Sequence, residues 1–206
     1  KADGTTSVYE ANTTLFSALE KSDGDPTGAL MSARFVAAYA LMFGLEGIPA
    51  IYFNSLISAQ NHTDGVARSG MKRRINRQKF EKDWLDEKLS DPTSPESIGL
   101  ETLKNLLTIR KRQPAFHPNA TQFTLQLGAE LFGVWRQSHD RKQSIFAITN
   151  LCASEQALDL SAINLIDTEN WHDLITKQQI ESSGGYITMS PYQTVWITNH
   201  AAPASR

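Results

Sequence analysis

Two stretches of this chain set proton-transferring side chains close together, and a third gathers cations. Ser138-His139-Asp140 places a hydroxyl, an imidazole and a carboxylate side by side. Glu81, Asp83, Asp86 and Glu87 offer a run of carboxylates, the material of general acid–base catalysis. Both read better as scaffold. Ser and Asp are favoured turn residues, and 138–140 falls between two β-rich runs, so a hairpin turn is expected there. The carboxylates alternate with Lys82 and Lys88 around apolar positions, as on a solvated helix face. Arg77 follows Lys72, Arg73 and Arg74. Its planar, permanently charged donor fork is able to clamp a carboxylate and hydroxyl groups at once, although residue type alone favours a surface arginine in a basic patch. His117 and His172 are expected to be structural or exposed. Trp135, Trp171 and Trp196 alternate with apolar residues in β-runs, as core side chains do; Trp84 lies instead in a long connection.

Composition narrows the classes. The chain has 206 residues, 40% of them apolar, with 20 basic against 22 acidic residues and a net charge of −2. That length supports one or two compact units. The even charge balance leaves no basic footprint for nucleic acid. The longest apolar run, residues 35–44, is too short to span a bilayer, so no membrane association is expected. The lone Cys152 has no partner for an internal disulfide, which suits a reducing, cytoplasmic setting.

The elements that must position these side chains change character midway. Residues 8–12 read as a short strand and 13–19 as a turn or short helix. Asp25-Pro26 reads as a helix start, opening an apolar run that ends at Gly44, expected as its C-cap. Residues 48–53, within Gly47-Ile48-Pro49-Ala50-Ile51-Tyr52-Phe53, read as a buried parallel strand. A long connection, 54–94, holds Phe80, Trp84, Leu85 and Leu89 at helical spacing. Such a connection is usually functional. Ser94-Pro95-Glu96 caps a further helix over about 95–112, which ends in Arg110-Lys111-Arg112 before Pro114. Beyond Pro118, seven short β-rich runs separated by turn signals predict an antiparallel sandwich. Two buried parallel strands do not make a stable sheet by themselves. The expected fold class is therefore α/β plus all-β: the C-terminal part of a (β/α)8 barrel over 1–118, then a small antiparallel β-sandwich domain over 119–206.

Particular residues carry a resemblance. The segment at 47–53 resembles the last barrel strand of the α-amylase superfamily, where a Gly-x-Pro step precedes an apolar, Tyr-containing strand. Ser190-Pro191-Tyr192-Gln193-Thr194-Val195-Trp196 is similar to the final strand of that superfamily's C-terminal β-domain. Asn54-Ser55-Leu56 with Gln60-Asn61, then Ile75-Asn76-Arg77 followed by Phe80, resembles the eighth-strand loop of its sucrose phosphorylase-like, glucosyl phosphorylase branch. Arg110-Lys111-Arg112-Gln113-Pro114-Ala115-Phe116-His117-Pro118 resembles the end of the eighth barrel helix there, and Tyr9 with Asn12 a segment after the seventh strand.

The resemblance implies a retaining enzyme whose two working carboxyls stand ~5–5.5 Å apart. In the superfamily these residues and a third carboxylate follow earlier strands, so no catalytic residue is expected in this chain. It implies substrate-binding roles for Arg77, as a clamp on the terminal glucosyl unit, and for Asn61. His62 stands where the family usually has Asp, which bears on local hydrogen bonding and acceptor preference. The expected parent enzyme is a glucosyl phosphorylase taking a small-molecule glucoside and phosphate to α-glucose 1-phosphate. The basic stretch 68–77 would attract phosphate, and the N-terminal barrel portion of the same protein would be this chain's structural partner. No metal or organic cofactor is implied. A hydrolase or transglucosidase on the same scaffold, and a non-catalytic carbohydrate-binding β-domain, are the alternatives.

Overall fold

The computed structural model describes residues 3–5, 11–163, 171–181 and 183–199. The expected strand at 8–12 falls largely outside them. Thr14 opens α1 (Leu15–Ala18), its hydroxyl accepting the Ser17 N–H at 3.2 Å. The next helix does not begin at Asp25-Pro26, as the capping signal suggested. It runs over Met31–Gly44 (α2), because Gly28 at φ +80 breaks any helix started earlier. Asp25 still gathers free amides, accepting the N–H groups of Gly28, Ala29 and Leu30 at 3.1, 3.1 and 2.7 Å. It organises the turn ahead of the helix rather than the helix itself.

α2 is apolar nearly all round, and the structure uses every side of it. Phe35, Ala37, Tyr39, Ala40 and Phe43 are buried, and the helix packs on α6 and on the β-sheet. Gly44 is not the expected C-cap; it is the last helical residue and is itself buried. A Cβ at Gly44 would lie 3.0 Å from the Ala147 Cβ, so the missing side chain sets how closely α2 approaches the sheet. The left-handed conformation falls three residues on, at Gly47, with φ +90.

Residues 48–53 correct a second expectation. Residues 48–52 belong to no strand, with Tyr52 extended, and α3 (Phe53–Leu56) begins at Phe53. Ile51 packs on the core, whereas Ile48 is 84% exposed and Tyr52 54%. A strand forms only where a neighbour completes its ladder, and the described residues supply no parallel neighbour. The long connection contains α4 (Thr63–Ser69), a 3-10 turn (Lys72–Asn76) and α5 (Lys82–Ser90). The carboxylates at 81–87 lie on an exposed stretch, with Lys82 and Asp86 paired one turn apart on α5. In α6 (Pro95–Lys111), Ser94 accepts the Ser97 N–H at 3.0 Å and Pro95 takes the first turn, as its sequence predicts.

The remaining chain forms β1 (Thr121–Thr124), β2 (Leu131–Gln137), β3 (Ser144–Asn150), β4 (Gln156–Asp159), β5 (His172–Asp173), β6 (Tyr186–Met189) and β7 (Thr194–Thr198). Every one lies in a predicted β-run. A five-stranded antiparallel sheet has the order β1-β2-β3-β7-β5, and β4 pairs with β6 in a second, two-stranded sheet. Side-chain alternation builds two cores. Val134, Ile145, Ala147 and Trp196 meet the helices, while Phe146, Ile148, Val195 and Ile197 meet Leu158 and Met189 of the small sheet. Trp135 and Trp171 pack at the margin of that second core and Trp196 is fully buried, in line with the core reading.

The turn reading of 138–140 also stands. The Ser138 hydroxyl donates to Asp140 Oδ1 at 2.7 Å and accepts the Gln143 N–H at 3.0 Å, closing the β2–β3 hairpin. His139 is exposed, and its ring meets that of His117, also exposed, at 5.3 Å.

Candidate functional site

The long connection is folded onto α1 by asparagines. Asn54 is buried, and its side-chain amide donates to the carbonyls of Asn76 and Gln78 at 3.4 and 3.2 Å. Asn76 in turn donates to the Thr13 carbonyl at 3.4 Å. Asn61 Oδ1 accepts the Thr14 N–H at 2.7 Å, its Nδ2 reaches the Thr13 hydroxyl at 3.1 Å, and its own N–H donates to Ser17 Oγ at 3.0 Å. The side-chain oxygen and amide of Asn61 thus clamp the start of α1 to the loop.

His62 follows as the residue before α4. Its N–H donates to the Ile75 carbonyl at 2.8 Å, which draws the 3-10 turn alongside. Its ring lies flat against α4: a Cβ on Gly65 would come within 2.3 Å of ring atoms. Nδ1 of His62 is buried with no hydrogen-bond partner. An unpaired polar atom of this kind is uncommon in a folded interior.

Asn61 and His62 share the wall of a cavity of about 370 Å³. Asp64, Gln78, Phe80, Trp84 and Glu96 also line it. The Phe80 and Trp84 rings are stacked, with centroids 5.4 Å apart and planes at 17°. Phe80 precedes α5 and Trp84 lies in its first turn, so the helix start fixes the pair. Their i,i+4 spacing places both on one helical face, where neighbouring side chains meet.

Arg77 ends the 3-10 turn, its N–H donating to the Arg74 carbonyl at 3.2 Å. The side chain is exposed and makes no hydrogen bond or ion pair among the described residues. It adjoins the cavity through Gln78 but does not line it. The structure thus brings Asn61 and His62 together and leaves Arg77 beside them.

Sequence reading missed two buried charge sites behind this region. Arg34 pairs with Asp25 at 2.8 Å, each 6% exposed, and also donates to the Leu19 and Glu20 carbonyls. The Leu30 amide holds the Asp25 carboxyl far below the usual carboxylate range, with Arg34 and Thr27 adding to it. At the second site the arginines bond to backbone carbonyls, with Glu46 alone among carboxylates acting on Arg136 through its charge. Arg110 reaches past its own helix to the carbonyls of Phe43 and Gly47, and Arg136 donates to those of Gly44 and His117, both at 2.9 Å. Both guanidinium groups thus meet the negative end of α2, with the Phe116 ring 5.5 and 5.9 Å away. Burial, then the Arg110 charge, pushes Arg136 down to about 10, so both stay cationic at neutral pH.

With the geometry described, comparison with known proteins places the chain. Glucosylglycerate phosphorylase of Allomeiothermus silvanus is 35% identical over 189 residues, covering 92% of this chain and 31% of that protein. Its counterpart in Spirochaeta thermophila is 30% identical over 199 residues, 92% of this chain and 33% of the relative. A sucrose phosphorylase of Agrobacterium vitis is 28% identical over 110 residues, 53% of this chain and 20% of the relative. The chain is a homologue of the glucosyl phosphorylases. It spans about a third of the length of the curated glucosylglycerate phosphorylases it matches. No family model matches it.

Among solved structures, AmyP in complex with maltotriose superposes with a TM-score of 0.67 at 16% identity, covering 86% of this chain and 37% of that one. Trehalose-6-phosphate hydrolase of Bacillus licheniformis gives 0.58 at 16% identity, covering 88% and 41%. These likenesses concern the fold alone: the chain superposes on part of α-amylase-family enzymes, and its antiparallel sheets match their C-terminal sheet domain. No helix among the described residues is long and apolar enough to cross a membrane.

Proposed function

We propose that this chain forms the barrel-closing segment and C-terminal β-domain of a retaining glucosyl phosphorylase, which transfers glucose from an α-glucoside to phosphate and releases α-glucose 1-phosphate. The observation that carries the reading is the similarity to glucosylglycerate phosphorylase across nearly the whole chain. The uncovered segment 48–53 supports its structural half. Ile51 is anchored to the core while Ile48 and Tyr52 are bare, as a barrel strand would be without its neighbours. Residues 1–118 are accordingly assigned to the barrel, with 119–206 as the β-domain behind it.

In this reading the catalytic carboxylates belong to earlier barrel strands. Arg77 clamps the terminal glucosyl unit, its unengaged guanidinium free to meet a carboxylate and sugar hydroxyls together. Asn61 supports the site by holding the loop to α1, and His62 lines the cavity beside it. The exposed cations at 72–74 raise the local concentration of phosphate. The test replaces Arg77 in the longer enzyme and follows glucose 1-phosphate release. Arg77→Lys is expected to lower kcat/KM about 100-fold, since an ammonium does not reproduce a two-pronged contact. Unchanged kinetics would remove Arg77 from the site.

A further inference from the structure

We infer that the cavity at the end of α6 binds an anion, a carboxylate or a phosphate-like group, through Lys111, Arg112 and His117. The inference goes beyond the functional assignment, because this cavity shares no lining residue with the one that Asn61 and His62 wall. Its volume, about 390 Å³, falls within the ~300–1,000 Å³ range of small-molecule sites. Charge selects the ligand. Arg110, Lys111, Arg112 and His117 are in the lining, and no aspartate or glutamate is. Arg110 is 7% exposed and spends its N–H groups on the carbonyls of Phe43, Leu45 and Gly47, so it contributes charge rather than free donors. Lys111 and Arg112 are exposed, and their side chains make no hydrogen bond or ion pair among the described residues. Nδ1 of His117 accepts the Asn119 N–H at 3.2 Å, which leaves the proton of a neutral ring on Nε2 as a further donor.

The backbone acceptors around the cavity are already engaged. The Ile109 and Arg110 carbonyls at the helix end accept the N–H groups of Arg112 and Gln113 at 3.1 and 3.0 Å. The His117 carbonyl accepts from Arg136 at 2.9 Å, and that of Pro118 from the Gly47 N–H at 3.0 Å. What remains unspent is cationic. Glu46 acts on Arg136 through its charge, yet it stands outside the lining, and no ion pair joins it to Lys111 or Arg112. Pro49 and Phe116 keep water from part of the wall, which strengthens the attraction between an anion and these cations. Two sources supply this chemistry: a free small anion, or a carboxylate from the portion of the proposed enzyme that precedes this chain.

The experiment uses the longer enzyme that contains this chain and separates the two sources. Sulfate, a dianion shaped like phosphate, is titrated by calorimetry at constant ionic strength against the parent and the double variant Lys111→Gln, Arg112→Gln. In parallel, a water-soluble carbodiimide joins lysines to carboxylates in direct contact, and the linked peptides are identified by mass spectrometry. A free anion predicts saturable sulfate binding that weakens at least ~10-fold in the double variant and is retained by Arg112→Lys, which keeps the charge. A built-in carboxylate predicts a cross-link from Lys111 to an aspartate or glutamate of the preceding portion, with a thermal midpoint lowered by the double variant. Either result supports the site and names its source. Sulfate binding that is absent or indifferent to the double variant, together with no cross-link from Lys111 to the preceding portion, would overturn the inference. Neither readout needs turnover, so the site stands or falls separately from phosphorolysis.

Discussion

Arg34 and Asp25 show how a residue remote from the cavity holds up the frame around it. Their buried pair ties the first turn of α2 to the segment after α1, while the Asn61 network clamps the start of α1 to the loop. Because the folded-state pKa of Asp25 is depressed, its contribution is present above the ordinary carboxylate value of about 4. It is lost as pH falls from there towards the depressed value. Asp25→Asn should lower the thermal midpoint at pH 7 and flatten its fall between pH 4 and 2, as measured by circular dichroism at a series of pH values. A variant with the parent's full acid dependence would place the acid-sensitive group elsewhere. Arg77 makes the opposite case: with no partner among the described residues, its replacement should alter kinetics and leave the thermal midpoint unchanged.

At the scale of elements, close approach is set by residues without side chains. A Cβ at Gly99, on the buried face of α6, would fall 2.0 Å from Ser58 Oγ, where the loop passes in a left-handed turn at φ +52. Gly99→Val should therefore cost about 1–3 kcal/mol in urea unfolding through overpacking. The milder Gly99→Ala should be partly rescued by Ser58→Ala, which removes the clashing hydroxyl. Additive losses in the double variant would mean that the two sites do not touch.

The same scale separates what the residues disclose from what they hide. The β-domain was legible strand by strand, because alternation and turn residues act within a few positions: Ser138 and Asp140 closed their hairpin as their types require. So did α6, whose Ser94-Pro95 start is local chemistry. Asp25-Pro26 misled because capping carboxylates also organise turns, and Gly28 decided between the two. Residues 48–53 form no ladder here because a strand is defined by its neighbours, which the described residues do not supply. Of the candidate site, Asn61, His62 and Arg77 were found through family resemblance. The Phe80–Trp84 stack follows their i,i+4 spacing, whereas the Arg110–Arg136 pair arises from contacts between distant segments, which no local pattern encodes.

For the whole molecule, the layers explain why a chain this short carries one side of a site. The five-stranded sheet is covered by the small sheet on one face and by α2 and α6 on the other, so the β-domain and the helices share a core. On the α/β side Ile48, Tyr52 and Phe53 are each more than half exposed. These residues give the proposed barrel its edge. By the same reading the chain alone should release no glucose 1-phosphate, since in the proposed enzyme the working carboxylates belong to earlier barrel strands. The direct measurement is a time course of α-glucose 1-phosphate from glucosylglycerate or sucrose, using the longer enzyme that contains this chain, with and without inorganic phosphate. The account predicts product that rises with phosphate and is absent without it; release of free glucose at a rate indifferent to phosphate would contradict it.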